Sequence, residues 1–152
     1  MATTNKTGEI QSTDVLKLIT VAGLLTKYAD RLFNAEVSIS QTQFAVLLAV
    51  DSTKPPVIQS DVSAKLQRGL NTVSMLIDRM VQQGLLERTR SKEDRRENIL
   101  TLTSEGKKKL TRGKKVNEAL NRQISSTVGE KNIRELQDTL NTLEATILNE
   151  IK

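Results

Sequence analysis

Residues 73–106 of the chain read VSMLIDRMVQQGLLERTRSKEDRRENILTLTSEG. Apolar residues recur at steps of three and four through the first part, which predicts a helix with one buried face, and Gly84 is suited to end that helix. The segments LLERTR and ENILTLT then alternate in polarity or are rich in branched residues, and they flank the polar, turn-prone SKED. The stretch therefore predicts a helix followed by a two-stranded β-hairpin.

A shorter helix is predicted just before this one, in IQSDVSAKLQ at residues 58–67, with Val62 and Leu66 on its inner face. The next two residues, an Arg and a Gly, supply a turn. A helix, a glycine-bearing turn, a second helix and a hairpin follow in the order of a winged helix-turn-helix. We therefore predict a mostly α-helical fold with a small β-hairpin wing, and we place this lobe at residues 40–103.

The two ends of the chain carry narrow apolar seams at helical spacing. Such a seam can be half of the chain's own core, or two seams can interlock with those of a second copy and form a dimer. In the second case the dimerisation helices are residues 12–34 and 104–152, within one domain that spans 1–152. The interface residues would then be Val15, Leu18, Leu25, Ile133, Leu136, Leu140, Leu143 and Ile147.

Composition limits the functions open to the chain. Lys and Arg number 23 against 18 Asp and Glu, and the formal net charge of +5 favours a polyanionic partner. Cys and His are absent, which removes thiol chemistry, the usual metal ligands and the usual general base, so we predict no metal, no cofactor and no enzymatic activity. No apolar run is long enough to span a membrane or resembles a signal peptide, so we expect a cytoplasmic protein without a membrane partner.

The helix predicted at residues 70–83 has an outer face of mostly short polar side chains, where an ordinary solvated helix carries Glu and Lys. Short hydrogen-bonding groups near a helix N-terminus can meet base edges in a major groove, and Arg79 can reach a phosphate or a guanine. An uncharged surface helix is the alternative. The candidate DNA contacts are Ser60 in the preceding helix and Asn71, Thr72, Ser74, Met75 and Arg79.

The predicted wing tip holds Lys92, Arg95 and Arg96 beside two acidic residues. An acidic neighbour such as Asp94 can fix a guanidinium in a forked pair, so that it meets a narrow minor groove already oriented. A solvated turn with self-cancelling charge is the alternative. The three cations are candidate DNA contacts and Asp94 is a candidate brace. The next helix carries six more cations within residues 107–115, which face DNA phosphates or water.

These motifs together resemble the multiple-antibiotic-resistance regulator (MarR) family of bacterial transcription factors. The resemblance covers nearly the whole chain in the order of its elements. Its most specific matches are QSDVSAKL at residues 59–66 and the run at residues 73–106. In that run V-S-x-L-I-D-R-M-x-x-x-G-L precedes D-x-R in the wing, and L-T-x-x-G follows.

The resemblance implies a winged-helix homodimer whose first and last helices intertwine. It implies that the helix at residues 70–83 reads the major groove of a palindromic operator in double-stranded DNA, while the wing reaches the minor groove. It also implies that Asp78 braces Arg96 of the D-x-R motif, which leaves Arg95 freer to touch DNA. Which of the two arginines enters the groove stays open.

Three positions depart from the family pattern. Met75 stands where an arginine is frequent, so a base or phosphate contact is lost or replaced by apolar contact with a thymine methyl group. Gly69 stands at a usual serine N-cap position. Ile58 stands where Thr or Ser often caps the first helix, so Ser60 is a candidate cap for a shorter one.

The expected function is that of a sequence-specific, dimeric transcriptional regulator, in the form of a repressor that a small aromatic or anionic effector releases from DNA. The alternative is a winged-helix module that binds a partner protein through residues 71–82 without specific DNA binding. The aromatic residues lie near the predicted junction of dimer helices and reading lobe, where relatives bind effectors; plain core residues are the other reading. The candidate effector-lining residues are Tyr28, Phe33, Phe44 and Leu47.

Overall fold

The computed structural model describes residues 12–92 and 97–151, without the side chains of residues 12 and 13. Within those ranges it has six helices and one antiparallel pair of strands. The elements are α1 (Ser12–Val37), α2 (Gln41–Asp51), α3 (Gln59–Leu66), α4 (Leu70–Gln82), β1 (Leu86–Arg90), β2 (Asn98–Leu102), α5 (Ser104–Val128) and α6 (Glu130–Glu150). The predicted class, mostly α with a β-hairpin wing, is confirmed.

The chain divides into two compact units, one reaching to Gly113 and one starting at Lys114. In the first unit α2, α3 and α4 pack on one another, α1 packs on α2, and the hairpin packs on α2, α3 and α4. The second unit holds the rest of α5 and all of α6. The hairpin and the helix-turn-helix pair therefore lie in the same unit, which fixes the wing beside α4.

Ser40 and Gln43 cap the start of α2. The N–H of Gln43 donates to the Ser40 hydroxyl at 3.1 Å, and the Ser40 N–H donates to the Gln43 side-chain oxygen at 2.9 Å. This reciprocal capping box satisfies two N–H groups that the helix itself leaves without partners. Local hydrogen bonds thus define the residue at which α2 begins.

The start of α3 differs from the prediction. The helix begins at Gln59 and Ile58 is its N-cap residue, because the Asp61 carboxylate reaches back and accepts from the Ile58 N–H at 2.9 Å. Ser60 therefore lies inside the first turn, and the prediction that it caps a shorter helix is wrong. Ile58 also forms an isolated antiparallel bridge with Ile99, which ties the entry of α3 to the hairpin.

The core of the first unit is mostly aliphatic, and the sequence contains one Tyr, two Phe and no Trp. Its most completely buried side chains are Phe33, Val37, Val46, Leu47, Val62, Val73, Ile77, Met80, Leu86 and Leu100. No polar or charged residue among those described is buried. The elements that present the candidate site are therefore held in place chiefly by burial of apolar surface, at roughly 25 cal/mol per Å².

Candidate nucleic-acid interface

α4 turns one apolar face inward and a polar face outward. Val73, Ile77 and Met80 are fully buried, whereas Met75 is 69% exposed. At about 100° per residue, Met75 lies almost opposite the buried stripe, at the centre of the outward face. Ser74 is half-buried at the edge of that face. The other exposed residues predicted to contact DNA are Asn71, Thr72 and Arg79.

The two ends of α4 are built differently. Gly69 is its N-cap residue and supplies no side-chain cap, so first-turn N–H groups of α4 are left for another acceptor, such as a phosphate oxygen. At the other end Gly84 has φ +68°, the N–H of Gly84 donates to the carbonyl of Val81, and the N–H of Leu85 donates to that of Met80. This Schellman arrangement ends the helix sharply and leads the chain directly into β1.

The turn between α3 and α4 brings their N-terminal ends together. Gln67 adopts the left-handed conformation with φ +50°, and the Ser63 hydroxyl donates to the carbonyl of Arg68 at 2.5 Å. The Gln59 amide donates to the carbonyl of Leu70 at 3.2 Å, which links the first turn of α3 to that of α4. Ser60 is exposed beside this link. The predicted contact in α3 therefore lies near the start of the predicted reading helix.

An ion pair between α4 and β1 was missed by the sequence analysis. Nη2 of Arg88 lies 2.6 Å from Oδ1 of Asp78, and their side chains are 29% and 50% exposed. The predicted partner, Arg96, lies outside the described residues, so the brace observed on Asp78 is Arg88. The available signal was the two-residue period of β1, which places Arg88 on the same face as the buried Leu86.

The wing is an antiparallel hairpin in the predicted place. Leu86 pairs with Leu102 at its base and Arg90 with Asn98 at its far end. The Ser91 N–H donates to the carbonyl of Glu97 at 3.0 Å and so continues the ladder by one step. Among the residues predicted at the tip, Lys92 is exposed, whereas Asp94, Arg95 and Arg96 lie outside the described residues. The roles of those three remain predictions.

Thr103 joins three elements at the base of the wing. Its hydroxyl accepts from the Gly106 N–H at 2.9 Å in the first turn of α5 and donates to the carbonyl of Gly84 at 2.6 Å, next to the end of α4. A Cβ at Gly106 would lie 2.1 Å from the carbonyl oxygen of Leu85, so this close approach requires glycine. The L-T-x-x-G motif thus fixes the hairpin between α4 and α5.

Lys109 and Arg112, which belong to the cation cluster at the start of α5, contact the end of α1. Nζ of Lys109 donates to the carbonyl of Val37 at 2.6 Å, and the Arg112 guanidinium donates to the carbonyl of Glu36. Both carbonyls belong to the last turn of α1, where a positive charge is favoured by the helix dipole. Both side chains therefore contact the protein itself, a role that neither expected alternative, DNA phosphate or water, included.

The residues predicted to line an effector pocket are mostly packed in the core. Phe33, Phe44 and Leu47 are buried, and the two phenyl rings stack with their centroids 4.7 Å apart. Tyr28 is half-buried. Gly113 of α5 lies against the rings, since a Cβ there would be 2.4 Å from Cδ2 of Phe44. Their packing is established, and their effector role remains a prediction.

The residues predicted to form a dimer interface are apolar and largely uncovered. Ile133 and Leu136 are half-buried. The exposed members are Val15, Leu18 and Leu25 in α1 and Leu140, Leu143 and Ile147 in α6. Exposed apolar rows of this length are typical of surfaces that another chain covers.

A shallow groove of about 260 Å³ lies where α3, α4 and the hairpin meet, and Ser60, Leu70, Arg88 and Asn98 are among the residues that line it. Residues 12–92 and 97–151 contain no group of three or more acidic side chains placed to hold a metal ion. None of the helices described combines the length and the apolarity that crossing a bilayer requires.

This arrangement of α3, α4 and the hairpin defines a winged helix-turn-helix protein. The MarR family model matches residues 38–97, the segment that contains α2, α3, α4 and β1. Over that segment the chain is similar to the MarR family of winged-helix transcriptional regulators. Members of this family are regulators and not enzymes, in agreement with the prediction from the sequence.

Solved structures extend the similarity over most of the chain. The transcriptional repressor CouR, bound to a 23-mer DNA duplex, is 27% identical, with 90% of this chain and 99% of that chain covered at a TM-score of 0.76. MepR from S. aureus, in complex with DNA, is 19% identical over 91% of this chain and 99% of that chain, with a TM-score of 0.77. PcaV from Streptomyces coelicolor, in complex with its natural ligand, is 20% identical over 95% of this chain and 98% of that chain, with a TM-score of 0.72. No curated protein matches the chain in sequence.

Proposed function

We propose that this chain is a sequence-specific regulator that binds a palindromic operator as a homodimer and represses transcription until a small molecule releases it. The observation that carries the proposal is the outward face of α4. That face places Asn71, Thr72 and Met75 above a fully buried stripe, so groups suited to base edges are presented on a rigid element.

The surroundings of α4 supply the contacts that hold a reading helix on DNA. Ser60 and Asn71 lie in the first turns of two linked helices, whose N–H groups and dipoles favour phosphate. Lys92 is exposed at the end of the hairpin, and Arg95 and Arg96 follow within four residues in the sequence. We infer that the hairpin arginines reach the minor groove on the flank of the segment that α4 reads.

The similarity to CouR supports a duplex as the partner, because that repressor is bound to DNA and is 27% identical over 90% of this chain. The net charge of +5 agrees with a polyanionic partner. Binding as a dimer would place two α4 helices about one helical turn of DNA apart, roughly 34 to 36 Å, in successive major grooves.

The exposed apolar rows of α1 and α6 support the homodimer. A second copy would cover Val15, Leu18 and Leu25 with the same rows of its own chain, in a two-fold symmetric contact. We propose residues 12–34 and 104–152 as the dimerisation segments and residues 40–103 as the reading lobe. Burial of each exposed leucine or isoleucine in the interface would stabilise the dimer by roughly 1.5 to 3 kcal/mol.

Selection of bound sequences from random duplexes tests the proposal. A two-fold symmetric consensus is expected, bound by two copies of the chain. The affinity should fall steeply with salt, because each phosphate contact releases counterions. Selection that enriches no sequence, together with binding to a partner protein through residues 71–82, would support the alternative of a protein-interaction module.

We propose that an effector would act through the distance between the two α4 helices of the dimer. A ligand that prefers a different distance between the two α4 helices weakens DNA binding. By reciprocity, DNA weakens the binding of that ligand by the same coupling free energy. Addition of benzoate to the operator complex tests whether an aromatic anion releases the DNA. Acetate, an anion without a ring, is the control. Release by benzoate that is lost in Tyr28→Ala would place the effector near α1, while release retained in that variant would place it elsewhere.

A further inference from the structure

We propose that Arg88 is a positioning residue that neutralises Asp78 on the DNA-facing side of α4 and holds the wing against that helix. The inference rests on the proposed DNA binding, and it assigns a role to a residue outside the predicted DNA contacts. It is carried by the ion pair between Nη2 of Arg88 and Oδ1 of Asp78, at 2.6 Å.

Asp78 occupies an unfavourable place for an acid. It follows Asn71 by seven residues, about two helical turns, so both side chains lie on nearly the same side of α4. Its side chain is 50% exposed. An uncompensated carboxylate there would face the phosphates that flank the major groove, and like charges across an interface oppose binding.

Arg88 is held where it can compensate that charge. It shares a face of β1 with Leu86, which is buried, and its cross-strand partner is Leu100, which is buried as well. The backbone of the hairpin is therefore anchored in the core on both sides of the guanidinium. With 29% of its side chain exposed, Arg88 is more restricted than a free surface arginine.

The pair also connects the two elements that are proposed to enter different grooves. The Schellman turn at Gly84 fixes how the chain leaves α4. The ion pair adds a second link between α4 and β1, through two residues that are ten positions apart. A charge-assisted hydrogen bond of this length has a strong directional preference. Arg88 thus sets the angle of the wing while it removes the negative charge beside the reading face.

Removal of the Arg88 charge, followed by removal of the Asp78 charge, distinguishes a positioning role of Arg88 from direct contact with DNA. Arg88→Ala is expected to weaken operator binding about tenfold, because it leaves Asp78 as a free carboxylate. Asp78→Asn in the Arg88→Ala background restores the net charge of the natural face and is expected to recover binding to within about threefold. The slope of affinity against salt should then match that of the natural chain.

Arg90 provides the matched control, since it lies two residues further along the same strand and removes the same charge. Asp78 pairs with Arg88, so Asp78→Asn should not rescue Arg90→Ala. Arg88→Gln keeps a longer side chain for the case in which Arg88→Ala does not fold. Thermal melting of either single variant is expected to stay within a few degrees of the natural chain, because a partly exposed pair contributes little to stability.

Two results would overturn the inference. The first is unchanged operator binding by both Arg88 variants. The second is a loss that Asp78→Asn fails to rescue, with a salt slope lower by about one, which would make Arg88 a direct phosphate contact. Failure of the natural chain to select any duplex would instead overturn the proposed function, so the two failures are distinguishable.

Discussion

α4 and α6 carry apolar residues at the same spacing but differ in what covers them. In α4 the stripe of Val73, Ile77 and Met80 is fully buried by α2, α3 and the hairpin. In α6 no residue is buried, and Leu140 and Ile147 are 46% and 48% exposed. Periodicity therefore identifies the face of a helix that is to be covered, but does not say which surface covers it.

The same contrast runs within α1. Ala29, Phe33 and Val37 in its C-terminal half are buried, while Val15 and Leu18 in its N-terminal half are exposed on a continuation of that face. The chain's own lobe covers one half, and the other half is exposed. The proposed second copy would cover the exposed half of this face. Substitutions in the two kinds of surface should therefore have different effects.

The largest expected effect comes from a charge in the seam of α6. Leu140→Glu should convert the dimer to monomers, because the carboxylate would be buried without a partner in the interface. Operator affinity should fall roughly 1,000-fold as binding changes from two heads to one. Sedimentation and titration measure the two effects. Asn141→Glu, one residue outside the seam, adds the same charge and should stay dimeric; a dimeric Leu140→Glu would show that α6 is not the interface.

A methyl group at Gly106 tests the packing within the first unit rather than the proposed dimer interface. Gly106→Ala would place its Cβ 2.1 Å from the carbonyl oxygen of Leu85, which only a backbone shift can relieve. We expect a loss of about 3 kcal/mol in the free energy of unfolding, or roughly 10 °C in melting temperature. Calorimetry measures this loss. Gly69→Ser, at a glycine with open space around it, should cost nothing; equal losses would contradict the close approach at Gly106.

The wing arginines should have an intermediate effect on DNA binding alone. Arg95→Ala and Arg96→Ala are each expected to weaken operator binding about tenfold and to lower the salt slope by about one, since each removes a contact to the polyanion. Mobility shifts at several salt concentrations provide the measurement. Lys17→Ala removes the same charge from α1 and should leave binding unchanged. Unchanged binding in both arginine variants would make the wing tip an ordinary solvated turn.

The smallest expected effect concerns Met75, at the centre of the reading face. If its side chain contacts a thymine methyl group, uracil in place of that thymine should weaken binding about fourfold, the value of one buried methyl. Met75→Ala should bind the two duplexes equally. Uracil placed between the half-sites is the control. A loss of the same size in Met75→Ala would assign the methyl contact to another residue.

Most of the fold could be predicted because its signals are local. The capping box of Ser40 and Gln43, the period of α4 and the hairpin all depend on residues a few positions apart. The start of α3 was misjudged because the Asp61 carboxylate accepts from the Ile58 N–H, so the helix begins before Ser60. α1 extends to Val37, three residues beyond its predicted end, and the Val37 carbonyl accepts from Lys109 of α5, a contact that no local pattern contains.

The candidate site was predictable in part. The outward residues of α4 followed from helical periodicity, and the structure places Asn71, Thr72, Met75 and Arg79 on the exposed side. The pairing of Asp78 with Arg88 did not follow, because it depends on how sharply the chain turns between α4 and β1.

The amino-acid sequence by itself determined the order of helices and hairpin, the polar face of α4 and the apolar rows at both ends, since each depends on period and on local hydrogen bonds. Only the tertiary structure decided that Arg88 pairs with Asp78, that Lys109 caps α1 from 72 residues away, and which apolar rows stay uncovered. The physical reason is that long side chains can reach several partners, and the packed backbone selects one of them by distance and direction.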